Sequence, residues 1–331
     1  MAPSSPAGAI SDKTRIMGKE KEVASRCRLC GGELLPVLED VHDTRFGLPG
    51  SYGIYGCRRC GLEHTLPQPS QAELNRLYEE HYNFAEATGA SYHGLRRLLH
   101  SPLVYHLWLA LDGDVSFHGR RGRGRLLDVG CNEGRGLTFY RANGFQAEGL
   151  ELNGVAAAAA RARGFTVHEE PLERFQPPEP YDVIVMSNVL EHFLDFRQAL
   201  SDARRLLVAN GEVLISLPNN RSWLRRCFGR AWINWHVPFH IVHFSPKTLI
   251  RALEESGFGI RKASQITPAL WVAQTIIARL KARPGEVTRA LRDPRLVVPL
   301  IVLARAFLFP WLWLNNRRGR GDCLAVVARK T

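Results

Sequence analysis

The sequence lacks an apolar stretch near its start, since the first 24 residues hold alanine, proline, serine, glycine and charges of both signs. Because a secretory signal peptide needs an apolar core of about 7–15 residues, we expect a flexible tail over residues 1–24 and a cytoplasmic protein. Acidic residues are also few, with 32 Asp and Glu against 44 Lys and Arg and a formal net charge of +12. This surplus favours nucleic acid, lipid head groups or phosphorylated substrates as partners, although a basic surface that only aids solubility stays open.

Cysteine is scarce, with seven residues in the chain, yet four of them form two Cys-x-x-Cys-Gly motifs. In a reducing compartment such pairs indicate metal binding rather than disulfides. Two such turns supply four thiolates, which suits a closed tetrahedral zinc site with a structural role. We therefore predict a zinc-ribbon-like module over residues 25–66, with a short hairpin over residues 34–55; a redox pair or metal-free thiols are the alternative. The predicted zinc ligands are Cys27, Cys30, Cys57 and Cys60.

A βαβ unit is predicted after a helical linker over residues 67–120, which itself begins with a helix over residues 68–82. Residues 125–134, RLLDVGCNEG, form an apolar strand that ends in a glycine-containing loop, and a second strand over residues 146–150 ends at Glu151. Such a unit suits a ligand with a ribose, because the loop amides approach it closely and the acid accepts hydrogen bonds from its hydroxyls. The loop is not the dinucleotide pattern Gly-x-Gly-x-x-Gly.

Further strands complete a doubly wound α/β sheet of seven strands over residues 121–331. A helix over residues 196–208, capped by Asn210-Gly211, precedes the fifth strand. A helix over residues 246–256 precedes the sixth. The predicted third to seventh strands cover residues 165–168, 181–186, 212–217, 258–264 and 323–329.

Over residues 126–330 the sequence resembles the class I S-adenosylmethionine-dependent methyltransferases. The resemblance rests on LLDVGCNEG, on LELN after the second strand, on YDVIVMSNVLEHFLD and on GEVLISLPN. It is closest to the group that includes the ubiquinone-pathway O-methyltransferases. The cysteine module is similar to that of the sugar C-methyltransferases of antibiotic pathways.

The resemblance implies where S-adenosylmethionine would bind. Asp128 and Gly130 would hold its methionine end, Glu151 would hold the ribose, and Asn188 would line the methyl-donor pocket. The turn near Glu170 would border the adenine. Asn132 replaces the usual glycine, and Asn tolerates the left-handed backbone better than most residues. The predicted cofactor-binding residues are Asp128, Gly130, Cys131, Asn132, Gly134, Glu151, Leu152, Glu170 and Asn188.

Two segments offer histidines that could act as the base that a hydroxyl or carbon acceptor requires. His192 follows the fourth strand, and the segment WINWHVPFHIVHFS at residues 232–245 carries three more. His240 aligns with the last histidine of the Tyr-His-Glu-His segment of the sugar C-methyltransferases. Val237 and Phe239 replace the tyrosine and glutamate of that segment, which disfavours carbon methylation.

We predict His192 and His240 as catalytic residues, with His236 and His243 as weaker candidates. The alternative for each of them is a buried imidazole that backbone groups satisfy.

An apolar insertion over residues 265–320 separates the last two predicted strands. Residues 296–314 contain a single charge, Arg305, and approach the length of a transmembrane helix. A single crossing would put the last strand on the wrong side, and we expect Pro299 and Pro310 to break a straight helix. We therefore predict a helix pair that lies on the inner face of the membrane, with arginines at the head groups. The alternative is a cap packed on the protein or on a second subunit.

A small-molecule, glycan or lipid-linked acceptor for O-methylation fits these features best. A nucleic-acid methyltransferase is the second hypothesis, but the chain has neither an Asn/Asp-Pro-Pro-Tyr motif after the fourth strand nor a Pro-Cys nucleophile. A non-catalytic protein of the same fold is the third hypothesis. The retained Asp128, Gly130 and Glu151 argue against it.

Overall fold

The computed structural model describes residues 26–81, Tyr105, Leu109 and 112–331. The predicted tail over residues 1–24 and much of the predicted linker lie outside the described residues. Eleven strands are found within them: β1 (Leu34–Val41), β2 (Tyr52–Cys57), β3 (Glu63–Leu66), β4 (Arg125–Val129), β5 (Gln146–Leu150), β6 (Val167–His168), β7 (Tyr181–Ser187), β8 (Leu207–Pro218), β9 (Val242–His243), β10 (Phe258–Ile266) and β11 (Cys323–Lys330).

The same residues contain eight α-helices: α1 (Gln71–His81), α2 (Arg135–Ala142), α3 (Gly154–Ala162), α4 (Phe196–Leu206), α5 (Trp223–Phe228), α6 (Pro246–Glu255), α7 (Ala269–Lys281) and α8 (Pro294–Arg317). Short 3-10 turns connect several of them. One such turn, Leu190–His192, begins three residues after the end of β7.

Seven strands form the main sheet in the order β10-β11-β8-β7-β4-β5-β6. Strands β6, β5, β4, β7 and β8 are parallel, while β11 runs antiparallel to both β8 and β10. The chain leaves β4 toward β5 on one side and reaches β7 on the other, so the strand order reverses beside β4. Ligands of open α/β sheets bind at such a switch point, beyond the carboxyl ends of the strands. The predicted Rossmann-like fold of class I methyltransferases is confirmed.

The central strands are apolar because both faces of the sheet are covered by helices. The side chains of Leu127, Ile184 and Val213 are fully buried on adjacent strands. Helix α4 packs Phe196, Leu200 and other apolar side chains onto the same core. This core fixes the strand ends, and so it fixes the residues that follow them.

The cysteine module forms a second sheet with the order β1-β2-β3-β9. Strands β1 and β2 form the antiparallel hairpin predicted between the two cysteine turns. Its fourth strand, β9, comes from the histidine segment of the main domain and pairs with β3. One apolar core also joins Leu29 and Leu62 of the module to Phe244 of the main domain. The module is therefore built into the main domain.

Two sequence predictions about element ends were wrong. Helix α4 ends at Leu206, and Asn210-Gly211 does not cap it, because Leu207 already pairs with Tyr181 in the sheet. Asn210 has a φ of 63° and lies at an irregular point of β8. The fifth strand therefore begins five residues earlier than predicted.

The insertion forms the predicted helix pair, α7 and α8, which pack against each other. Helix α8 runs through Pro299 and Pro310 without ending, so the prediction that these prolines break it was wrong. A proline inside a helix removes one backbone hydrogen bond and bends the axis locally. The apolar packing of Ile301, Ala304 and Leu312 on the protein compensates for that loss. By length and composition alone, α8 could cross a bilayer.

Candidate active site

A glycine loop follows β4 at the carboxyl edge of the main sheet. Gly130, Asn132 and Gly134 have φ values of 72°, 50° and 73°, in the left-handed region. Glycine adopts this region without strain and asparagine tolerates it, which explains the residue at each position. A Cβ on Gly130 would also lie 2.8 Å from Cγ2 of Val189. The loop therefore curls tightly over the strand end, as the sequence predicted.

Glu151 lies at the end of β5, opposite this loop. Its carboxylate accepts hydrogen bonds from the backbone amides of Asn132, at 2.8 Å, and Asn153, at 2.9 Å. Burial raises the pKa of Glu151, and these amides oppose the rise. Glu151 is thus held in one orientation at the switch point, where an acid can bind a ribose.

Asp128 is the last polar side chain of β4 before the loop and is only 7% exposed. Burial, and then the nearby charge of Glu151, raise the pKa of Asp128 to about 8. A Cβ on Gly136 would lie 2.8 Å from Oδ2 of Asp128 and 3.2 Å from Nε2 of His118, so the acid and the imidazole face the same small space. A buried carboxylate of this kind suits a cationic group of a ligand.

The sequence reasoning did not single out His118. Its ring stacks on Phe139, with centroids 4.9 Å apart, and its Nδ1 is hydrogen-bonded to the hydroxyl of Tyr105. Burial lowers the pKa of His118 to about 3, so the ring is neutral. Only a structure shows that this segment, which precedes β4, returns to cover Asp128.

Asn188 follows β7 and has a φ of 54°. Its amide donates to the carbonyl of Ser216 at 2.8 Å. Its side-chain Oδ1 is buried and has no hydrogen-bond partner among the described residues. A buried acceptor without a donor is costly, so this oxygen is suited to accept a hydrogen bond from a ligand bound in the crevice.

The remaining predicted cofactor residues lie around the same crevice. Cys131 contributes backbone only, because its sulfur points into the core and a Cβ on Gly149 would lie 2.4 Å from it. Leu152 is exposed at the rim, and Glu170 lies in the turn after β6. The glycine loop, the two acids and the unsatisfied amide oxygen of Asn188 fit S-adenosylmethionine.

A second polar group lies after β7, formed by Glu191, His192 and His240. One carboxylate oxygen of Glu191 and one ring nitrogen of each histidine all lie within 4.8 Å of one another. Glu191 is 1% exposed, and neither of its carboxylate oxygens has a hydrogen-bond partner among the described residues. Burial raises the pKa of Glu191 to about 8 and lowers that of His192 to about 4. The structure thus brings together the two predicted catalytic histidines.

Each histidine of this group is oriented by a neighbour. Nδ1 of His192 lies 2.7 Å from the hydroxyl of Tyr78 on α1, a residue that the sequence reasoning missed. Nδ1 of His240 lies 2.8 Å from the carbonyl oxygen of Asn234 and must carry the proton, since a carbonyl only accepts. Nε2 of His240 therefore holds the lone pair, 3.9 Å from Oε1 of Glu191.

Asn234 is itself fixed by a buried acid that the sequence reasoning did not single out. Its side-chain amide donates to Asp322 at 2.9 Å, and the indole of Trp232 donates to the other oxygen of the same carboxylate at 2.9 Å. Burial raises the pKa of Asp322 to about 7. The acid before β11 thereby anchors the start of the histidine segment.

The two weaker candidates have different surroundings. Nδ1 of His236 lies 3.4 Å from Nε2 of His240, so His236 borders the group. His243 points to the cysteine module, where its Nε2 lies 2.9 Å from the hydroxyl of Thr65. Burial lowers the pKa of His243 to about 3, which matches a neutral ring in a structural position.

The four predicted zinc ligands converge at one point of the module. The sulfurs of Cys27 and Cys60 lie 3.5 Å apart, and those of Cys30 and Cys57 lie 3.4 Å apart. All four sulfurs lie within 4.8 Å of one another. Tetrahedral zinc with Zn–S bonds of about 2.3 Å places its sulfurs about 3.8 Å apart, so the cluster fits that ion.

Several known proteins to which this chain is similar are named as methyltransferases. A family described as "Methyltransferase domain" matches residues 109–263. The chain is 29% identical over 177 residues to a "Probable S-adenosylmethionine-dependent methyltransferase" of Mycolicibacterium smegmatis, covering 51% of this chain and 65% of that protein. It is 28% identical over 147 residues to a ubiquinone biosynthesis O-methyltransferase of Sodalis glossinidius, covering 41% of this chain and 59% of that protein. The chain thus spans less than two thirds of the length of these curated relatives.

Among solved structures, an S-adenosylmethionine-dependent methyltransferase from Mesorhizobium loti is 19% identical, with a TM-score of 0.42, and the match covers 70% of this chain and 100% of that one. The strand order and the matched domain together define residues 109–263 as part of a class I methyltransferase fold. More particularly, this region matches a methyltransferase domain and is similar to a probable S-adenosylmethionine-dependent methyltransferase.

Proposed function

We propose that the chain transfers the methyl group of S-adenosylmethionine to a hydroxyl oxygen of a small-molecule, glycan or lipid-linked acceptor. One observation carries the proposal: the Glu191–His192–His240 group begins three residues after Asn188, so a polar proton-accepting group borders the cofactor crevice. Methyl transfer to a hydroxyl needs such a group, whereas transfer to a neutral amine does not.

The cofactor, when bound, supplies an electrophilic methyl carbon and its own leaving group. The protein therefore has to align the two reactants and exclude water. Asp128 and Glu151 would hold the ends of the cofactor, and the tight turn at Gly130 lets backbone amides approach it. Asn188 would accept a hydrogen bond through its unsatisfied side-chain oxygen, at the boundary between the methyl donor and the methyl acceptor.

His192 is the member of the polar group that an acceptor can reach, because it is only half-buried while Glu191 and His240 are buried. With its pKa lowered to about 4, the ring is neutral at pH 7 and can accept the hydroxyl proton. Tyr78 and His240 lie against it and orient it, with the His192 and His240 ring centroids 4.7 Å apart.

Zinc is the second part of the proposal. The four clustered thiols would bind one structural zinc ion, since a four-cysteine site leaves no position for substrate or water. The ion would stabilise the sheet that contains β9, and with it the histidine segment.

The names of the curated relatives support an oxygen acceptor, because several of them are ubiquinone biosynthesis O-methyltransferases. Nucleic acid remains the second candidate, which the net charge of +12 favours. A non-catalytic cofactor-binding protein is the third.

The test is transfer of labelled methyl from S-adenosylmethionine by the purified chain to lipid extracts, aqueous small-molecule extracts, RNA and DNA. We expect label in the lipid or small-molecule fraction, and we expect His192→Asn to reduce transfer by about 10²–10⁴-fold. His42→Asn, in the cysteine module, is the matched control and should retain activity. Label confined to nucleic acid would refute the acceptor class, and cofactor binding without any transfer would favour a non-catalytic protein.

A further inference from the structure

Helix α8 presents an apolar surface to its surroundings. A helix on the surface of a soluble protein normally has a polar outer face. Here the outward residues are large and apolar, with Phe307 75% exposed and Trp311 50% exposed. The large apolar side chains exposed on α8 are Leu296, Val302, Leu303, Phe307, Leu308, Phe309, Trp311 and Trp313. An exposed patch of this extent marks a surface that contacts a partner or a membrane.

The opposite face of α8 is attached to the protein. Val297, Ile301 and Leu312 are buried in the core that α7 shares. Arg305, the single charge near the middle of the helix, is turned inward and is paired with the buried carboxylate of Asp112. The helix is therefore fixed by one side, and its outward side is apolar between Leu296 and Trp313.

A groove rich in arginine lies beside the C-terminal end of α8. It has a volume of about 560 Å³, and Trp235 forms part of its wall. Arg318 and Arg320 follow the last residue of α8 and line the groove, so groove and helix are adjacent. Arg225 is already paired with Glu63 at 2.9 Å. The arginines that line the groove are Arg221, Arg225, Arg226, Arg318 and Arg320.

Helix α8 and the arginine groove both lie at the edge of the main sheet that carries the cofactor crevice. In the register of the main sheet, Pro218 at the end of β8 pairs with Cys323, which pairs with Ile266 at the end of β10. The chain between Ile266 and Cys323 therefore leaves and re-enters the sheet at its carboxyl edge. A partner bound to α8 would therefore lie at the same edge of the sheet as the crevice, on the side from which a methyl acceptor approaches it.

We propose that α8 lies in the head-group region of an anionic phospholipid bilayer, with its apolar face in the acyl chains and the arginine groove on lipid phosphates. Arginine binds phosphate through paired N–H donors, and exposed tryptophans favour the membrane interface. A bilayer satisfies the apolar face and the cationic groove together, whereas nucleic acid would leave Phe307 in water. The helix does not cross the membrane, since β11 returns to the same sheet.

The inference goes beyond the proposed methyl transfer and does not depend on it, because binding to vesicles can be measured without cofactor or acceptor. The full chain is sedimented with vesicles of phosphatidylcholine alone and of phosphatidylcholine with phosphatidylglycerol. We expect binding to the anionic vesicles, and a loss of at least about tenfold for Phe307→Glu. The matched control is Val155→Glu, which puts the same charge at an exposed valine of α3, outside the groove, and should not change binding.

The arginine groove is tested separately by the double variant Arg221→Glu and Arg226→Glu. It should reduce binding to the anionic vesicles by about tenfold or more, leaving little preference over neutral vesicles. Each variant is checked for folding by its circular dichroism spectrum and its melting temperature. Absence of sedimentation with wild-type protein would overturn the proposal. So would a dimer in light scattering that Phe307→Glu dissociates while vesicle binding is unchanged.

Discussion

The side-chain hydroxyl of Thr65 lies 2.7 Å from the backbone carbonyl oxygen of His240. Because the hydroxyl donates its proton there, it accepts from Nε2 of His243 at 2.9 Å. The backbone amide of Thr65 also donates to the carbonyl of Ile241 at 3.0 Å. One threonine of the cysteine module thus holds three points, at His240, Ile241 and His243, of the segment that carries a candidate catalytic histidine.

Replacing Thr65 by valine should therefore affect the histidine segment before it affects the cofactor crevice. Valine has the same shape but leaves a buried carbonyl and a buried imidazole unsatisfied, at a cost of about 1–3 kcal/mol in the free energy of unfolding. We expect kcat to fall while the affinity for S-adenosylhomocysteine stays close to wild type. Thr65→Ser should restore most of the loss. Equal losses of kcat and cofactor affinity would show that the effect is general unfolding.

Zinc content should be one ion per chain, measured by elemental analysis of the purified protein. Cys60→Ser removes one of four ligands, and we expect loss of the ion together with a drop in melting temperature, because metal binding at such sites contributes to folding. Cys227→Ser is the control, since Cys227 is exposed and lies outside the cluster. A chain that folds equally well with and without metal would contradict a structural zinc.

Cofactor affinity should depend on the charge of Glu151. Glu151→Gln removes an ionised acceptor that would bind the ribose, so we expect the Kd for S-adenosylhomocysteine to rise by about 10–100-fold. The control, Glu169→Gln, makes the same change at an acid that pairs with Arg161 at the surface. Isothermal titration measures both. Unchanged binding by Glu151→Gln would show that the crevice does not hold the ribose as proposed.

Cofactor binding should also release a proton at neutral pH. With a pKa of about 8, Asp128 is mostly protonated at pH 7 in the free protein. A bound cationic group lowers that pKa, so we expect close to one proton to leave per cofactor bound at pH 7 and almost none at pH 9. The affinity should therefore rise with pH up to about 8 and then level off. Titration in buffers of different ionisation enthalpy measures the release; identical heats in all of them would argue against a protonated Asp128.

Much of the fold could be predicted from the sequence because its strands are buried on both faces. The apolar run that begins at Tyr181 became β7 with one extra residue, Ser187. The glycine loop was predictable because few residues adopt a left-handed backbone, and the acid at the end of β5 lies where the periodicity put it. Element ends were harder, as at Leu207, where pairing with Tyr181 outweighed a local helix-stop signal.

The candidate site was only partly predictable, since its members are far apart in the chain. His192 and His240 were singled out separately, and only the structure brings their ring centroids to 4.7 Å. Tyr78 and Asp322 carry no local motif. Their roles follow from long-range contacts with His192 and Asn234, which no periodicity or spacing encodes.

The shared sheet of β3 and β9 has a consequence for how the protein would respond to its environment. If the thiolates hold zinc, then metal starvation or an oxidant that reaches Cys30 or Cys60 would loosen β3, and the histidine segment would lose its support. The donor pocket is built on β4, β5 and β7 and would be affected less. If the chain transfers methyl groups as we propose, turnover would fall before cofactor binding did, and its output would follow the cell's supply of zinc and reductant.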